Sequence, residues 1–265
     1  MDHRQLVNHF AQAQLPLALV GQTGRPTARG LDDIVQLSIE AARGARPERF
    51  VIRPGASTNE LAVQAVDSTL RQLVLEVREP RRAFEVHARK DQPRVKGIEI
   101  LRTDAWGRWE RHYTQASQRQ FLAGLDEAHL FLAQLPRPAS TVWSAHRILE
   151  GDAVRLAQRS AWEPTVRQGE WFFVSLLPRE LARLERVLDR QPRALVQRKG
   201  LAEVANIARL GKPHVAAELC RVGERTYARG SVEHPDHATI VLPAWRRVLV
   251  NAEQLTRPTG LQWVD

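Results

Sequence analysis

The sequence predicts an α+β fold, mostly antiparallel β-hairpins and a meander with interspersed amphipathic helices. Two kinds of pattern support this prediction. Short apolar runs with period two, such as residues 73–77 and 83–88, indicate strands. Segments with apolar residues three and four positions apart, such as residues 179–190, indicate helices. Strands and helices do not alternate regularly along the chain, which disfavours a doubly wound parallel sheet.

Two helices are predicted at the N-terminal end. Residues 2–14 place Leu6 and Phe10 on one face, at the spacing of an amphipathic helix. Residues 31–43 repeat this spacing, and two aspartates near the start complement the dipole of the predicted helix. Residues 17–26, between the helices, are predicted to form a short strand and an ordinary turn. The turn lacks the second half of a phosphate-binding GxxxxGKS or GxxxxGKT sequence.

The middle of the chain has the alternating pattern of strands. Pro80 lies between the apolar runs at 73–77 and 83–88, and proline presets the backbone for a turn. We therefore predict a hairpin formed by these two strands. A second hairpin is predicted from residues 119–124 and 128–136, which flank a Leu-Asp-Glu turn.

The C-terminal half is predicted to combine helices with a meander of strands. A helix is expected after Pro138, a buried strand at 170–177 and a second helix at 179–190. A third helical stretch is predicted at 201–210. Turn sequences between apolar runs from residue 214 to residue 251 predict the meander.

The chain has 265 residues, which is enough for one large domain or two domains of ordinary size. We expect an N-terminal helical plus β region at 1–115 and a C-terminal α+β region at 116–265, or one compact domain that includes both. Cys220 is the single cysteine, which excludes an intrachain disulfide and a four-cysteine zinc site. No secretory signal and no apolar run near ~18 residues is present, so a cytoplasmic protein without a membrane partner is expected.

Positive charge is concentrated in two parts of the sequence. The chain has 39 basic and 30 acidic side chains and a net charge of +9. Residues 179–229 hold twelve basic and six acidic residues, and residues 81–113 hold nine basic and five acidic residues. Localised positive charge favours an acidic partner, with DNA or RNA first and an acidic protein surface as the alternative. A GC-rich coding sequence also explains the preference for arginine over lysine.

One predicted helix has a row of arginines. They are Arg179, Arg183, Arg186 and Arg190. At helical geometry these side chains lie within roughly 60° of one another, with three leucines on the opposite side. Such a row can contact successive phosphates, and its alternative interpretation is a solvated face with weak ion pairs.

Aromatic and basic residues alternate in one predicted strand. They are Trp106, Arg108, Trp109, Arg111 and Tyr113. Flat rings beside guanidinium groups are typical of surfaces that bind single-stranded nucleic acid by stacking and charge neutralisation. The alternative interpretation is that these rings pack in the core.

A histidine-rich turn is the only candidate for catalytic or metal chemistry. His234, Asp236 and His237 lie between two predicted strands, and His214 and Cys220 precede them. These residue types form zinc sites, which would support phosphodiester hydrolysis, and the turn's own residues also suit general acid–base catalysis. A proline-aspartate pair is also typical of a plain β-turn. We therefore expect a structural turn that binds no metal.

The combined expectation is a nucleic-acid-binding protein that uses its arginine-rich segments. We expect a non-catalytic subunit or accessory factor of a larger assembly that needs no cofactor. The first alternative is a metal-dependent nuclease or phosphoesterase that uses the turn from His234 to His237. The second alternative is an adaptor that binds an acidic protein surface. No GxSxG sequence supports a serine nucleophile.

Overall fold

The computed structural model describes residues 3–21, 34–44, 46–94, 96–207 and 212–253. Within these ranges the chain is mixed α/β and mostly β, with 16 strands and 21% helix. The α-helices are α1 (His3–Gln12), α2 (Val142–Arg159), α3 (Pro178–Arg190) and α4 (Leu201–Ala205). None of the described helices is long and apolar enough to cross a membrane.

The N-terminal part contains two sheets around a shared apolar core. The first sheet has the order β1-β3-β2 and consists of β1 (Leu17–Leu19), β2 (Gln36–Glu40) and β3 (Arg49–Arg53). The second has the order β10-β9-β5-β4 and consists of β4 (Glu60–Asp67), β5 (Gln72–Glu79), β9 (Ser117–Asp126) and β10 (His129–Gln134). The β1–β3 pair is parallel, and all other pairs in these sheets are antiparallel. Leu6 and Phe10 of α1 are buried in the core.

The predicted helix at 31–43 is wrong for its described part, because Gln36–Glu40 form β2. Val35, Leu37 and Ile39 are buried, and this alternation places them on one face of the sheet. The apolar residues of this segment fit both a helical and a strand period. Pairing with β3 selects the strand. Residues 31–33 of this prediction lie outside the described residues.

The predicted hairpin around Pro80 is also wrong. Its first strand, β5, pairs with β4 and β9, and its second strand, β6 (Ala83–Arg89), belongs to another sheet. That sheet has the order β6-β8-β7 and contains β7 (Glu99–Thr103) and β8 (Gly107–Tyr113). Residues 72–77 of β5 are buried on both faces, so β5 takes a central place with two neighbours. Residues 80–82 therefore connect two sheets.

The second predicted hairpin is confirmed as β9 and β10, with Glu127 at its tip in the left-handed region (φ 53°). Because β5 precedes residue 115 and β9 follows it, their sheet joins strands from both sides of the expected domain division.

The C-terminal part is a six-stranded antiparallel sheet in the order β11-β12-β16-β15-β14-β13. Its strands are β11 (Val166–Gln168), β12 (Trp171–Ser175), β13 (Leu195–Gly200), β14 (Val215–Val222), β15 (Arg225–His234) and β16 (His237–Val250). The last three form the predicted meander. Leu184 of α3 packs with Cys220, whereas Leu201 of α4 packs with Leu219. Neighbouring strand residues point to opposite faces, so α3 and α4 cover opposite faces of the sheet.

Helix α2 connects the two parts. A capping box begins the helix, because the Thr141 and Ser144 side chains each accept a hydrogen bond from the backbone N–H of the other. The helix bends at Gly151, whose φ of 69° favours glycine. Beside the bend, the backbone N–H of Ala252 donates to the carbonyl oxygen of Leu149 at 2.7 Å. The helix contacts β4, β5 and β9 of the N-terminal part and β12 and β16 of the C-terminal part.

Candidate functional sites

The arginine row lies on α3 as predicted. Leu184 is 1% exposed, and Leu181 and Leu188 pack beside it against Tyr227 and Trp245 of the sheet. The opposite face of the helix is exposed and has the four arginines Arg179, Arg183, Arg186 and Arg190. We call this surface the arginine face.

The arginine face is not neutralised by neighbouring carboxylates. Arg186 donates from Nε to the carbonyl oxygen of Ala182 at 3.1 Å, and no ion pair involves any of the four arginines within the described residues. Glu180 is held on the flank of the helix, where it accepts hydrogen bonds from Arg225 (3.0 Å) and from the hydroxyl of Tyr227 (2.9 Å). Burial and the hydrogen bond to Glu180 raise the pKa of Tyr227 to about 12, so the hydroxyl keeps its proton and its bond to this carboxylate.

The alternating aromatic and basic residues of β8 are mostly engaged within the protein. Arg108 is only 7% exposed. Its Nε donates a hydrogen bond to Glu110 at 2.5 Å. Its Nη1 and Nη2 donate to the carbonyl oxygens of Gln92 and Pro93, respectively. It is therefore not available to a phosphate. Arg111 forms an ion pair with Glu99 at 3.0 Å.

The rings of this segment differ in their surroundings. Trp109 is half-buried between the His87 ring and the guanidinium of Arg102, which lies 4.6 Å from its ring centroid. Tyr113 has the guanidinium of Arg81 over its ring at 4.2 Å. Trp106 is 81% exposed, so it is the ring of this segment most open to a stacking partner.

The meander brings three histidines together at one end of the six-stranded sheet. His214 immediately precedes β14, and Val215 pairs with Glu233, whose neighbour His234 ends β15 and pairs with His237 at the start of β16. One ring nitrogen of each histidine lies within 4.8 Å of a ring nitrogen of the other two. The His214 and His234 rings stack with their centroids 4.1 Å apart. We call His214, His234 and His237 the histidine cluster.

Cys220 does not belong to the histidine cluster. It lies six residues further along β14, about 20 Å away at the rise of a strand. The thiol is buried against α3, and this burial raises its pKa. The mixed site of His214, Cys220, His234 and His237 considered from the sequence is therefore reduced to its three imidazoles.

Each ring of the cluster has a distinct set of neighbours. Nδ1 of His214 lies 3.8 Å from Oε1 of Glu170, and Nδ1 of His237 lies 3.9 Å from Oε1 of Glu127. Nδ1 of His234 accepts a hydrogen bond from the backbone N–H of Asp236 at 3.2 Å. Its Nε2 therefore has the proton and donates to the carbonyl oxygen of Lys212 at 3.1 Å.

The turn between β11 and β12 is close to this cluster. Gly169 has a φ of +55°, and a Cβ at this position would lie 3.0 Å from Nε2 of His237 and 3.1 Å from Nε2 of His214. Both Nε2 atoms therefore face the same point of the backbone. A side chain at residue 169 would occupy the space in front of them, so glycine keeps that space open.

Burial keeps two histidines of the cluster, His214 and His234, uncharged at neutral pH. The pKa of His214 is lowered to about 3 by burial and by the neighbouring His234 and His237. Burial also lowers the pKa of His234. At neutral pH these two imidazoles have an unprotonated ring nitrogen, which is the form that binds metal ions.

The histidine cluster opens into a cleft. Apolar residues of β10, α2 and β12 are among those that line the cleft, namely Leu130, Phe131, Leu149 and Phe172. His129 and His146 also line the cleft. Some of the charged residues that line the cleft form ion pairs with one another. Arg167 lies 3.5 Å from Asp126, and Lys212 lies 3.0 Å from Asp236.

The sequence indicated His214, His234 and His237, together with Cys220, as an alternative metal site, but not the residues that surround these three histidines. Glu127, His129 and His146 belong to the N-terminal part and α2, far from the turn in sequence, and Glu170 and Gly169 belong to a different hairpin. No local sequence pattern links these segments to the turn.

The chain matches no protein-family model, no curated protein and no solved structure. Functional inference therefore rests on the chemistry and geometry of the two surfaces described above, the arginine face and the histidine cluster with its cleft.

Proposed function

We propose that this protein binds nucleic acid, DNA or RNA, along the arginine face of α3. The observation that supports this proposal is the set of four exposed arginines without a carboxylate partner among the described residues. Guanidinium groups suit phosphate because their planar donors match its oxygens. Exposed arginines that are not already paired keep these donors free for a ligand.

The shape of the arginine face favours the sugar-phosphate backbone over the bases. From Arg179 to Arg190 the row extends about 16 Å along the helix axis, at about 1.5 Å per residue. This length corresponds to roughly five nucleotides of one strand at about 3.4 Å each. Contacts to phosphates determine the position of a protein on nucleic acid but do not select a sequence. We therefore expect affinity with little sequence preference, as suits an accessory subunit of a larger assembly.

Salt dependence tests the proposal directly. In the variant R179Q/R183Q/R186Q/R190Q, the slope of log K against log salt concentration should become shallower by roughly 3 to 4 units for duplex DNA, at about 0.9 for each phosphate that the variant no longer neutralises. The measurement is fluorescence anisotropy with labelled oligonucleotides of unrelated sequence over a series of salt concentrations.

A matched control separates a specific surface from general charge. In the control variant, four other exposed arginines are changed to glutamine, which removes the same amount of charge. These residues are Arg43, Arg46, Arg53 and Arg137. This control should keep most of the slope. An equal decrease of affinity in both variants, or an unchanged slope in the α3 variant, would contradict the proposal. If polyglutamate displaces the labelled oligonucleotide as well as unlabelled nucleic acid does, the result would indicate an acidic protein partner instead.

Trp106 adds a test of strand preference. Because its ring is 81% exposed, we expect it to stack on a base of a single strand, at about 1–3 kcal/mol per base. Trp106→Ala should weaken binding to single strands more than binding to duplexes. Equal effects on both ligands would exclude stacking by this residue.

A further inference from the structure

We propose that His214, His234 and His237 form a binding site for a divalent transition-metal ion, with zinc as the best chemical match. The inference goes beyond nucleic-acid binding and does not depend on it. It rests on the convergence of three imidazoles, on a buried ring nitrogen without a partner and on the carboxylates behind two of the rings.

His214 has a buried ring nitrogen that nothing in the described part of the chain satisfies. His214 is 5% exposed, and its Nε2 has no hydrogen-bond partner among the described residues. A buried polar atom without a partner costs about 1–3 kcal/mol, and a ligand that contacts the atom removes this cost. This Nε2 and Nε2 of His237 both lie close to Gly169, in the space that the glycine leaves open. A metal ion there would give both nitrogens a partner.

Carboxylates lie on the far side of the His214 and His237 rings. A histidine that binds a metal through Nε2 usually donates its Nδ1–H to a carboxylate, which fixes the ring and its tautomer. Glu170 lies behind Nδ1 of His214 at 3.8 Å, and Glu127 lies behind Nδ1 of His237 at 3.9 Å. If each of these Nδ1–Oε1 distances shortened by about 1 Å, both pairs would reach the length of a charge-assisted hydrogen bond.

Glu127 is fixed independently of the ion. Its Oε2 accepts a hydrogen bond from the backbone N–H of Ala238 at 2.7 Å, which holds the tip of the β9–β10 hairpin against the start of β16. Oε1 remains directed toward His237. The carboxylate is therefore positioned before any ion binds, and only a small movement of the ring is required.

The third ligand, His234, must change its hydrogen bonding. In the described state its Nε2–H donates to Lys212, and its Nδ1 accepts from Asp236. Nitrogens bound to one tetrahedral zinc lie about 3.3 Å apart, given zinc–nitrogen distances of about 2.0–2.1 Å. The ligand nitrogens here lie within 4.8 Å of one another. Metal binding therefore requires the nitrogens to move closer by up to about 1.5 Å and the breaking of one hydrogen bond of His234.

The ligand set determines the class of ion. Imidazole suits zinc and other late first-row transition metals, whereas calcium and magnesium prefer oxygen ligands. Three protein ligands leave a fourth zinc position for water or a substrate, as in catalytic rather than structural zinc sites. Here that position would face the cleft beside the cluster.

The experiment uses the full chain, freed of metal by a chelator and then dialysed. Isothermal titration with Zn²⁺ should show one ion per chain, and Co²⁺ should give the visible absorption of a tetrahedral complex. His237→Ala should weaken zinc binding by at least about 100-fold. Glu127→Gln should weaken it by about 10–100-fold, the range found when a group that supports a metal ligand is removed.

His129→Ala is the matched control, because His129 lines the same cleft but is not part of the cluster. It should leave zinc affinity within about twofold. Because His237→Ala can alter the fold, circular dichroism of each metal-free variant is compared first, and Glu127→Gln provides a second, milder variant. No binding by the folded wild-type chain, or equal weakening by His129→Ala and His237→Ala, would overturn the proposal. The variant without the four arginines of α3 should keep its zinc affinity, which separates this proposal from nucleic-acid binding.

Discussion

Acid should destabilise the metal-free protein through His214. The pKa of this residue lies near 3 in the folded chain, against an ordinary value of 6.5. As pH falls below 6.5, the unfolded chain binds a proton that the folded chain does not bind. The stabilising contribution is therefore complete above pH 6.5 and is lost progressively down to about pH 3.

The magnitude follows from the two pKa values. At about 1.4 kcal/mol per pKa unit, the full loss between pH 6.5 and pH 3 is about 5 kcal/mol. Between pH 7.5 and pH 5.0 the same linkage amounts to roughly 2 kcal/mol. That difference is large compared with the marginal stability of a folded protein.

Urea unfolding at pH 7.5 and pH 5.0, with a chelator present, measures this loss. Other carboxylates and histidines also titrate in this range, so the informative quantity is the difference between variants. In His214→Gln, the decrease in unfolding free energy from pH 7.5 to pH 5.0 should be smaller than in the wild type by roughly 2 kcal/mol. His129→Gln, at a more exposed position, serves as the control. Equal decreases in the wild type and His214→Gln would refute the assignment of a buried, uncharged imidazole.

Two further predictions test the packing of the fold. Leu184→Ala should lower the unfolding free energy by about 2–5 kcal/mol, because this 1% exposed side chain fixes α3 to the sheet. Arg183→Ala, on the exposed face, should change the unfolding free energy by less than about 0.5 kcal/mol. If urea unfolding gives similar changes for Leu184→Ala and Arg183→Ala, the orientation of α3 described above is contradicted. Gly107→Ala should lower the melting temperature, because the new Cβ would overlap the carbonyl oxygen of Ala88 in the paired strand β6. An unchanged melting temperature in calorimetry would show that this strand pair is not closely packed.

The elements predicted correctly are those whose pattern is local. The helix α3 has leucines and arginines on opposite faces, so its period determines both its conformation and its exposed side. The β9–β10 hairpin and the meander of β14, β15 and β16 join neighbouring strands through short turns, and sequence order then equals spatial order.

The wrong predictions concern segments whose structure depends on a strand that is distant in the sequence. Val35, Leu37 and Ile39 form a strand because β3 is beside them, although the segment also fits a helix. The strand β5 is central because β9, which begins at Ser117, pairs with it. The local period of a segment does not identify these partners.

The same reasoning applies to the candidate sites. Exposure of the arginine face followed from the period of one helix. Burial of Arg108 depends on Glu110 and on the carbonyl oxygens of Gln92 and Pro93, which the strand pattern does not reveal. Glu127 and Glu170 reach the histidine cluster only through the folding of separate hairpins, so the sequence indicated the three histidines but not the carboxylates beside them.

The bend of α2 at Gly151 also affects the order of folding. The carbonyl oxygen of Leu149 receives the N–H of Ala252, which lies about a hundred residues further along the chain, so this contact belongs to the class that forms slowly. The first turns of α2 have their own capping box and can form early. We expect the direction of the second half to become fixed only after β16 has paired and brought Ala252 into place. Changes at Gly151 should therefore accelerate unfolding more than they retard refolding, which makes the bend a determinant of kinetic lifetime.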